Sequence, residues 1–378
     1  MKFNVSAVSG YARRGELDFP RGKVQTPAFM PVGTNGTVKA LEVENLEETG
    51  SEIILGNTYH LMLRPGDELV KNLGGLHKFA NWGKPILTDS GGFQVWSLGD
   101  LAKITEEGVS FQSPYDGKKC FMSPEDSMQI QENLGSDIVM VLDECTPFNV
   151  SKKYTENSMY LSHRWAKRCS AAFKTMFANY ESQMGSAGKQ YLYGIVQGGV
   201  FEDLRKIACE ETCSGDYHGL AIGGSLGGTK EQMHDIFSFC SELIDTSKPV
   251  HVLGIGGLDD ILHGVSCGYD TFDCVSPTRI ARHGIMLSRI NSKGINLNNS
   301  KFKNDHSYLD DECDLSEINN FTKSYLHHLF KSNEILGIVI LSLYNIWFMN
   351  KFFEDIRINI ENDTFENFKK NFFDNLTK

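Results

Sequence analysis

The stretch Pro85-Ile86-Leu87-Thr88-Asp89-Ser90-Gly91-Gly92-Phe93-Gln94 decides the fold. A brief apolar run stops at an acid, a serine and two glycines. A buried strand that hands polar groups to a turn is written this way. The same pattern recurs at seven other places, so that apolar segments fall at 27–32, 52–55, 85–87, 137–142, 191–196, 218–222, 250–253 and 269–272. Helical periodicity occupies most of the intervals: 37–49, 152–180, 201–213, 230–244 and 258–265. Ser123 is placed to cap a helix beginning at Pro124, with Glu125 and Asp126 in its first turn. Strands alternating with helices imply a parallel sheet. Eight such units fit an α/β fold of the (β/α)8 TIM-barrel type, which takes roughly 250 residues. An open doubly wound sheet shares the pattern and stays open at this point.

The segment ends concentrate the chemistry. They read Gly56-Asn57-Thr58-Tyr59-His60, Asp89-Ser90-Gly91-Gly92, Asp143-Glu144-Cys145, Gln197-Gly198-Gly199, Gly223-Gly224-Ser225, Gly254-Ile255-Gly256-Gly257 and Asp273-Cys274. In a barrel the carboxyl ends of the strands hold the active site. A single Asp at a strand end often just caps the next helix. Asp89, Asp143 and Asp273 on one face beside glycine turns point instead to a carboxylate pair acting at an anomeric carbon, in glycosyl transfer or hydrolysis. Metal-dependent hydrolysis competes poorly, because His60 is the main histidine near these turns. Gly254-Ile255-Gly256-Gly257 lacks the Lys-Ser/Thr of a P-loop, although its amides could meet a phosphate.

The 378 residues are 40% hydrophobic and 22% charged, which excludes disorder and allows a sizeable core. The net charge of -11 does not decide for or against a nucleic-acid partner, since binding depends on local patches. Locally, Arg279, Arg282, Arg289, Lys293, Lys301 and Lys303 follow the Asp273 turn with no acid between them. Such a run beside the site suits a polyanion. His163, Arg164, Lys167, Arg168 and Lys174 form a second basic stretch, which a solvated helix face explains. Nine scattered cysteines without a CxxC pair argue against a disulfide framework and for a reducing cytoplasm. No signal-peptide pattern opens the chain. The longest apolar stretch, 335–349, reads as a buried helix, and no membrane association is expected.

Several stretches resemble tRNA-guanine transglycosylases of the bacterial queuine tRNA-ribosyltransferase type. They are Thr26-Pro27-Ala28-Phe29-Met30-Pro31-Val32-Gly33-Thr34, Gly56-Asn57-Thr58-Tyr59-His60-Leu61, Leu87 through Val95, Asp143-Glu144-Cys145-Thr146-Pro147, Phe272-Asp273-Cys274-Val275 and Pro277-Thr278-Arg279. The likeness runs from about residue 5 to about residue 350, and the family fold is a (β/α)8 barrel. The resemblance implies a pentosyltransferase that replaces the wobble guanine (position 34) of GUN-anticodon tRNAs with queuine or preQ1. Asp273 would be the nucleophile, forming a covalent ribosyl-aspartate, and Asp89 the general acid/base. Asp143 and Gln197 would hydrogen-bond the base, with Ser90 and the Gly224 backbone in the pocket and Phe93 stacked on the base. Gly254, Gly256, Gly257, Thr278, Arg279 and Arg282 would contact tRNA. A homodimer is usual for the family.

Two departures are visible. Family members hold a structural zinc with Cys-x-Cys-x-x-Cys and a later His. The corresponding positions here are Cys313, Leu315, Ile318 and Tyr344, so only Cys313 of four ligands is retained and no metal or other cofactor is expected. Base choice is the second. Gly227 stands where preQ1-type enzymes carry valine, which would open room for queuine; Cys145 resembles the bacterial form, and Thr229 replaces a common glutamate. The chain is expected to be one catalytic domain over 1–378, with a degenerate zinc-binding-like subdomain at 296–350 and a C-terminal helix at 351–378. Two alternatives fit less well. A noncatalytic tRNA-binding accessory subunit conflicts with retention of Asp89 and Asp273. An archaeosine-type enzyme would bring a long C-terminal RNA-binding extension.

Overall fold

In the computed structural model, which describes residues 1–97, 102–177 and 189–376, eight parallel strands close into a barrel. They are Ala28–Gly33, Ile54–Gly56, Ile86–Thr88, Ile138–Met140, Tyr191–Val196, Gly219–Ile222, Val250–Val252 and Thr271–Cys274. The eighth pairs with the first, Asp273 opposite Met30, which excludes the open sheet. Every expected segment overlaps its strand. The eighth is displaced, and Asp273 lies within the strand rather than in the turn after it. Just before that strand, Asp270 gives its carboxylate to Arg13 and to the Val250 amide.

Surrounding helices such as Glu202–Ser214, Lys230–Ser241 and Leu258–Ser266 fall close to expectation. Ser123 and Asp126 form a reciprocal capping box on Pro124–Leu134. The 37–49 helix shrinks to Val43–Glu48, because the chain turns before it and Ala40 takes a left-handed φ of 67°. The end of the expected 152–180 helix lies outside the described residues, which carry it as Lys152–Phe177.

Two antiparallel insertions are not foreshadowed by the sequence pattern. Lys2–Ser9, Ala12–Phe19 and Gly22–Thr26 form a sheet across the amino ends of the barrel strands. Arg13 clamps Asp270 there, and Arg21 pairs with Asp137 just before the fourth strand. The amino-terminal mouth is thereby closed, leaving chemistry to the other. A smaller sheet (Lys103–Ile104, Val109–Gln112, Lys119–Met122) follows the Gly92–Ser97 helix.

The apolar helix spans Ile335–Glu361. Its length and composition would suffice to cross a membrane, but its apolar surface is largely packed on the barrel. Phe353 meets Phe29 and Phe272, and buried Asn345 donates to the carbonyls of Pro277 and Ile285. Residues 351–378 are not one helix. The long helix ends at Glu361, Asp363 takes a φ of 54°, and Phe365–Leu376 returns so that Phe368 and Phe372 touch Phe352.

Candidate active site

Asp89 leaves the third strand into a ring of donors. The Thr58 amide donates to Oδ1 at 2.9 Å, Gln94 Nε2 donates to Oδ2 at 3.1 Å, and Asn57 Nδ2 reaches the same oxygen. Asn57 is itself fixed, because its side-chain oxygen caps the Thr58–Leu63 helix. Burial pushes the Asp89 carboxyl up to about 7; the Thr58 amide pulls down, and the negative charge of Asp273 pushes up again. The two carboxylates therefore share one electrostatic environment, and Asp89 titrates where an acid/base should.

Asp273 is placed by strand alternation. Phe272 faces outward to Phe353, so Thr271 and Asp273 face into the barrel. Asp273 Oδ1 accepts the Gly254 amide at 2.9 Å, and His251 Nε2 lies 3.2 Å from the same oxygen.

A polar pocket adjoins this pair. Ser90 donates to Asp143 Oδ1 at 3.2 Å, and Gln197 Nε2 donates to Asp143 Oδ2. Burial pushes Asp143 up to about 6, against the pull of these hydrogen bonds. Gly224 has a φ of 75°, and a β-carbon there would collide with Gln197 Oε1. Beneath these turns, fully buried Arg205 donates to the carbonyls of Val196, Gly199 and Gly223. It binds the turns after strands five and six into one unit. Cys145 is next to the pocket, and burial with the Asp143 charge holds its thiol up to about 12, far from a reactive thiolate. Phe93 is exposed on the short helix that starts at Gly92.

Not every expected residue presents itself as foreseen. Gly227 has a φ of 111°, and the volume a β-carbon would take is already held by Gln232 and Val200. Backbone conformation thus requires glycine there, and its absent side chain leaves no open space. Thr229 caps the Lys230–Ser241 helix by accepting the Gln232 amide. Thr278, expected on the tRNA surface, is buried with its hydroxyl turned to the Val275 carbonyl, because the helix Ser276–Ala281 packs inward at that position. Gly254 serves Asp273, Gly256 packs on Cys274, and Gly257 caps the Leu258–Ser266 helix.

The two basic stretches separate clearly. Arg164, Lys167, Arg168 and Lys174 are all neutralised, by Glu106, Glu211, Glu125 and Asp216. In the run after Asp273, Arg289 pairs with Asp355, whereas Arg279, Arg282, Lys293, Lys301 and Lys303 have no acidic partner among the described residues. Of the unpaired set, Arg279 and Arg282 lie in and just after the Ser276–Ala281 helix, which directly follows the Asp273 strand.

At the degenerate zinc position, Cys313, Ile318 and Tyr344 are buried. Burial holds the Cys313 thiol up to about 11. Tyr344 donates to Asp310 at 2.9 Å, and Trp347 to Asp314 at 2.8 Å. His327, a possible substitute ligand, is engaged with the Leu297 carbonyl. A neutral thiol, two aliphatic side chains and a bonded phenol do not suit zinc. Among the described residues no group of three His, Cys, Asp or Glu is arranged to hold a metal.

Sequence reasoning missed Arg205 and His251, since a lone Arg in a helix or His in a strand carries no motif. Asn57, Thr58 and Gln94 lay inside quoted motifs, but their grip on Asp89 needed coordinates.

Comparison with known proteins agrees with this geometry. The family model described as queuine tRNA-ribosyltransferase matches residues 8–378. A protein of Mannheimia succiniciproducens named queuine tRNA-ribosyltransferase is 48% identical, with 100% of this chain and 98% of that protein covered. Proteins of the same name from Actinobacillus succinogenes (47% identical, 98% covered) and Haemophilus influenzae (46%, 97%) also span 100% of this chain. With its barrel, its paired carboxylates and this full-length likeness, the chain belongs to the queuine tRNA-ribosyltransferase family and is an enzyme, a pentosyltransferase.

Proposed function

We propose that this enzyme exchanges the wobble guanine of GUN-anticodon tRNAs for queuine or preQ1 by double displacement. The observation that carries the reading is the electrostatic coupling of Asp89 to Asp273 at one barrel mouth. Asp273 attacks C1′ as the glycosidic bond breaks, and protonated Asp89 supplies the proton to the departing guanine. The ionised Asp89 then takes the proton of the incoming base, which displaces Asp273. Two displacements at one carbon retain its configuration. Asp143, an acceptor, suits the N1–H and N2–H edge of guanine; the Gln197 amide and the Gly224 amide suit O6. A base lacking these groups leaves buried polar atoms unpaired and is rejected. Arg279 and Arg282 meet the phosphates around the flipped-out nucleotide, and Phe93 stacks on the base.

The experiment is covalent trapping with a GUN-anticodon stem-loop. Wild type should give a complex stable to denaturant, while Asp273→Ala gives none and Asp89→Ala loses turnover. Trapping that persists in Asp273→Ala overturns the reading. Competition between queuine and preQ1 tests base choice, with both accepted on this reading. We further propose that the enzyme works without zinc, as a cytoplasmic homodimer. Stoichiometric zinc in purified protein would refute the first point, and a monomeric mass in solution the second.

A further inference from the structure

We propose that His251 is a positioning residue that selects which oxygen of Asp273 attacks the sugar and stabilises that carboxylate as it departs; this rests on the double-displacement reading above. His251 lies in the seventh barrel strand, in register with Thr271, and is sealed from solvent. Its Nδ1 meets Thr271 Oγ1 at 3.0 Å. Its Nε2 makes no aligned hydrogen bond, yet lies 3.2 Å from Asp273 Oδ1. A buried ring nitrogen without a partner is costly, and this one lies beside the nucleophile. The tautomer that follows has Nδ1 accepting from the threonine hydroxyl and Nε2–H facing the carboxylate.

Asp273 is consequently asymmetric. Oδ1 is addressed by the Gly254 amide and by His251, while no hydrogen bond reaches Oδ2 among the described residues. Oδ2 is the oxygen left to bond C1′. When it does, the electron pair of the broken glycosidic bond goes to guanine with the proton from Asp89, and Oδ1 becomes the ester carbonyl oxygen. In the second displacement the incoming base bonds to C1′ and its proton passes to Asp89. The C1′–Oδ2 bond breaks, and its electron pair returns to the carboxylate. Negative charge then grows on Oδ1, where two N–H groups wait. A small rotation of the imidazole or of the carboxylate brings Nε2–H into line as that charge develops. His251 never touches the substrate. It works through Asp273, and mainly in the second half of the reaction.

The test uses the full chain with the stem-loop and compares His251→Phe, His251→Gln and Thr271→Val with wild type. Phenylalanine keeps the ring volume without a donor, and glutamine offers an N–H at a similar reach. For His251→Phe, kcat should fall on the order of 10- to 100-fold and KM for tRNA should fall with it, so that kcat/KM for tRNA changes little. Its covalent complex should accumulate above the wild-type steady-state level. His251→Gln should recover most of the loss, and Thr271→Val, which frees the ring to turn, should fall between. The proposal is overturned by His251→Phe turning over within about twofold of wild type, or by complex formation and breakdown slowing equally. A His251→Gln as impaired as His251→Phe also overturns it. Should His251→Phe not fold, the ordering of His251→Gln and Thr271→Val decides alone. Absence of a trapped complex in wild type would sink the parent mechanism; a wild-type complex indifferent to residue 251 sinks only this inference.

Discussion

Replacing Asp89 with Asn should make the protein's stability less dependent on pH while removing its activity. Asp89 titrates at 3.8 in an unfolded chain and at about 7 in the folded one, chiefly because it is buried. Between these values the native carboxyl holds a proton that the unfolded one has released. The unfolded state binds fewer protons, so stability falls as pH rises through this window and levels off above about 7. From pH 5 to pH 8 the loss attributable to this one group is about 2.5 kcal/mol. In Asp89→Asn the substituted amide has nothing to titrate. It would face the donors of Asn57 and Gln94, which costs stability, but by an amount independent of pH. The measurement is urea unfolding of both proteins at pH 5, 6, 7 and 8. The difference in unfolding free energy should shift in favour of Asp89→Asn as pH rises. Curves that stay parallel across this range would refute the assignment of a raised Asp89, and with it the source of the proton. In single-turnover trapping, wild type should slow above pH 7 as the acid form is lost. The variant should run on the order of 100-fold or more below it throughout.

Arg205→Met should cost about 3 kcal/mol or more of stability, seen in the urea midpoint, because it leaves the Val196, Gly199 and Gly223 carbonyls without their donor. Arg279→Ala and Arg282→Ala should each raise KM for the stem-loop roughly three- to tenfold and reduce the salt slope by about 1. Lys167→Ala, on the neutralised stretch, should change neither. Prolonged dialysis against a chelator should leave the thermal midpoint unmoved, whereas Tyr344→Phe should lower stability by about 1 kcal/mol through loss of its bond to Asp310.

The barrel was legible because the buried strands are brief apolar runs ending in polar or glycine-rich residues, as at Leu87-Thr88-Asp89 and Leu142-Asp143. The antiparallel insertions were not. Ala12–Phe19 has two adjacent arginines and a glycine that break its alternation, and Lys103–Ile104 is too short to leave a periodic trace. The interruption at Ala40 could not be read either, since alanine favours a helix and only tertiary packing imposes the left-handed turn. Asp89, Asp143 and Asp273 stood out by their places at strand ends. Gly227 suggests vacated space in the sequence, when its backbone geometry is what demands glycine. His251 and Arg205 act through contacts distant in sequence, and no local pattern announces them.

The eighth barrel strand has an aspartate just before it and another near its end, three residues apart, with opposite fates. Asp270 sits below, gripped by both arms of an arginine from the amino-terminal sheet, and is spent on holding the barrel shut. Asp273 sits above, and no lysine or arginine pairs with it among the described residues. Counter-ion supply, rather than residue type, divides the anchor from the proposed nucleophile along a single extended segment. On the proposed mechanism, an arginine engineered into the upper rim within reach of Asp273 would be expected to turn it into a second anchor, leaving a well-folded protein that still binds RNA and no longer bonds to it.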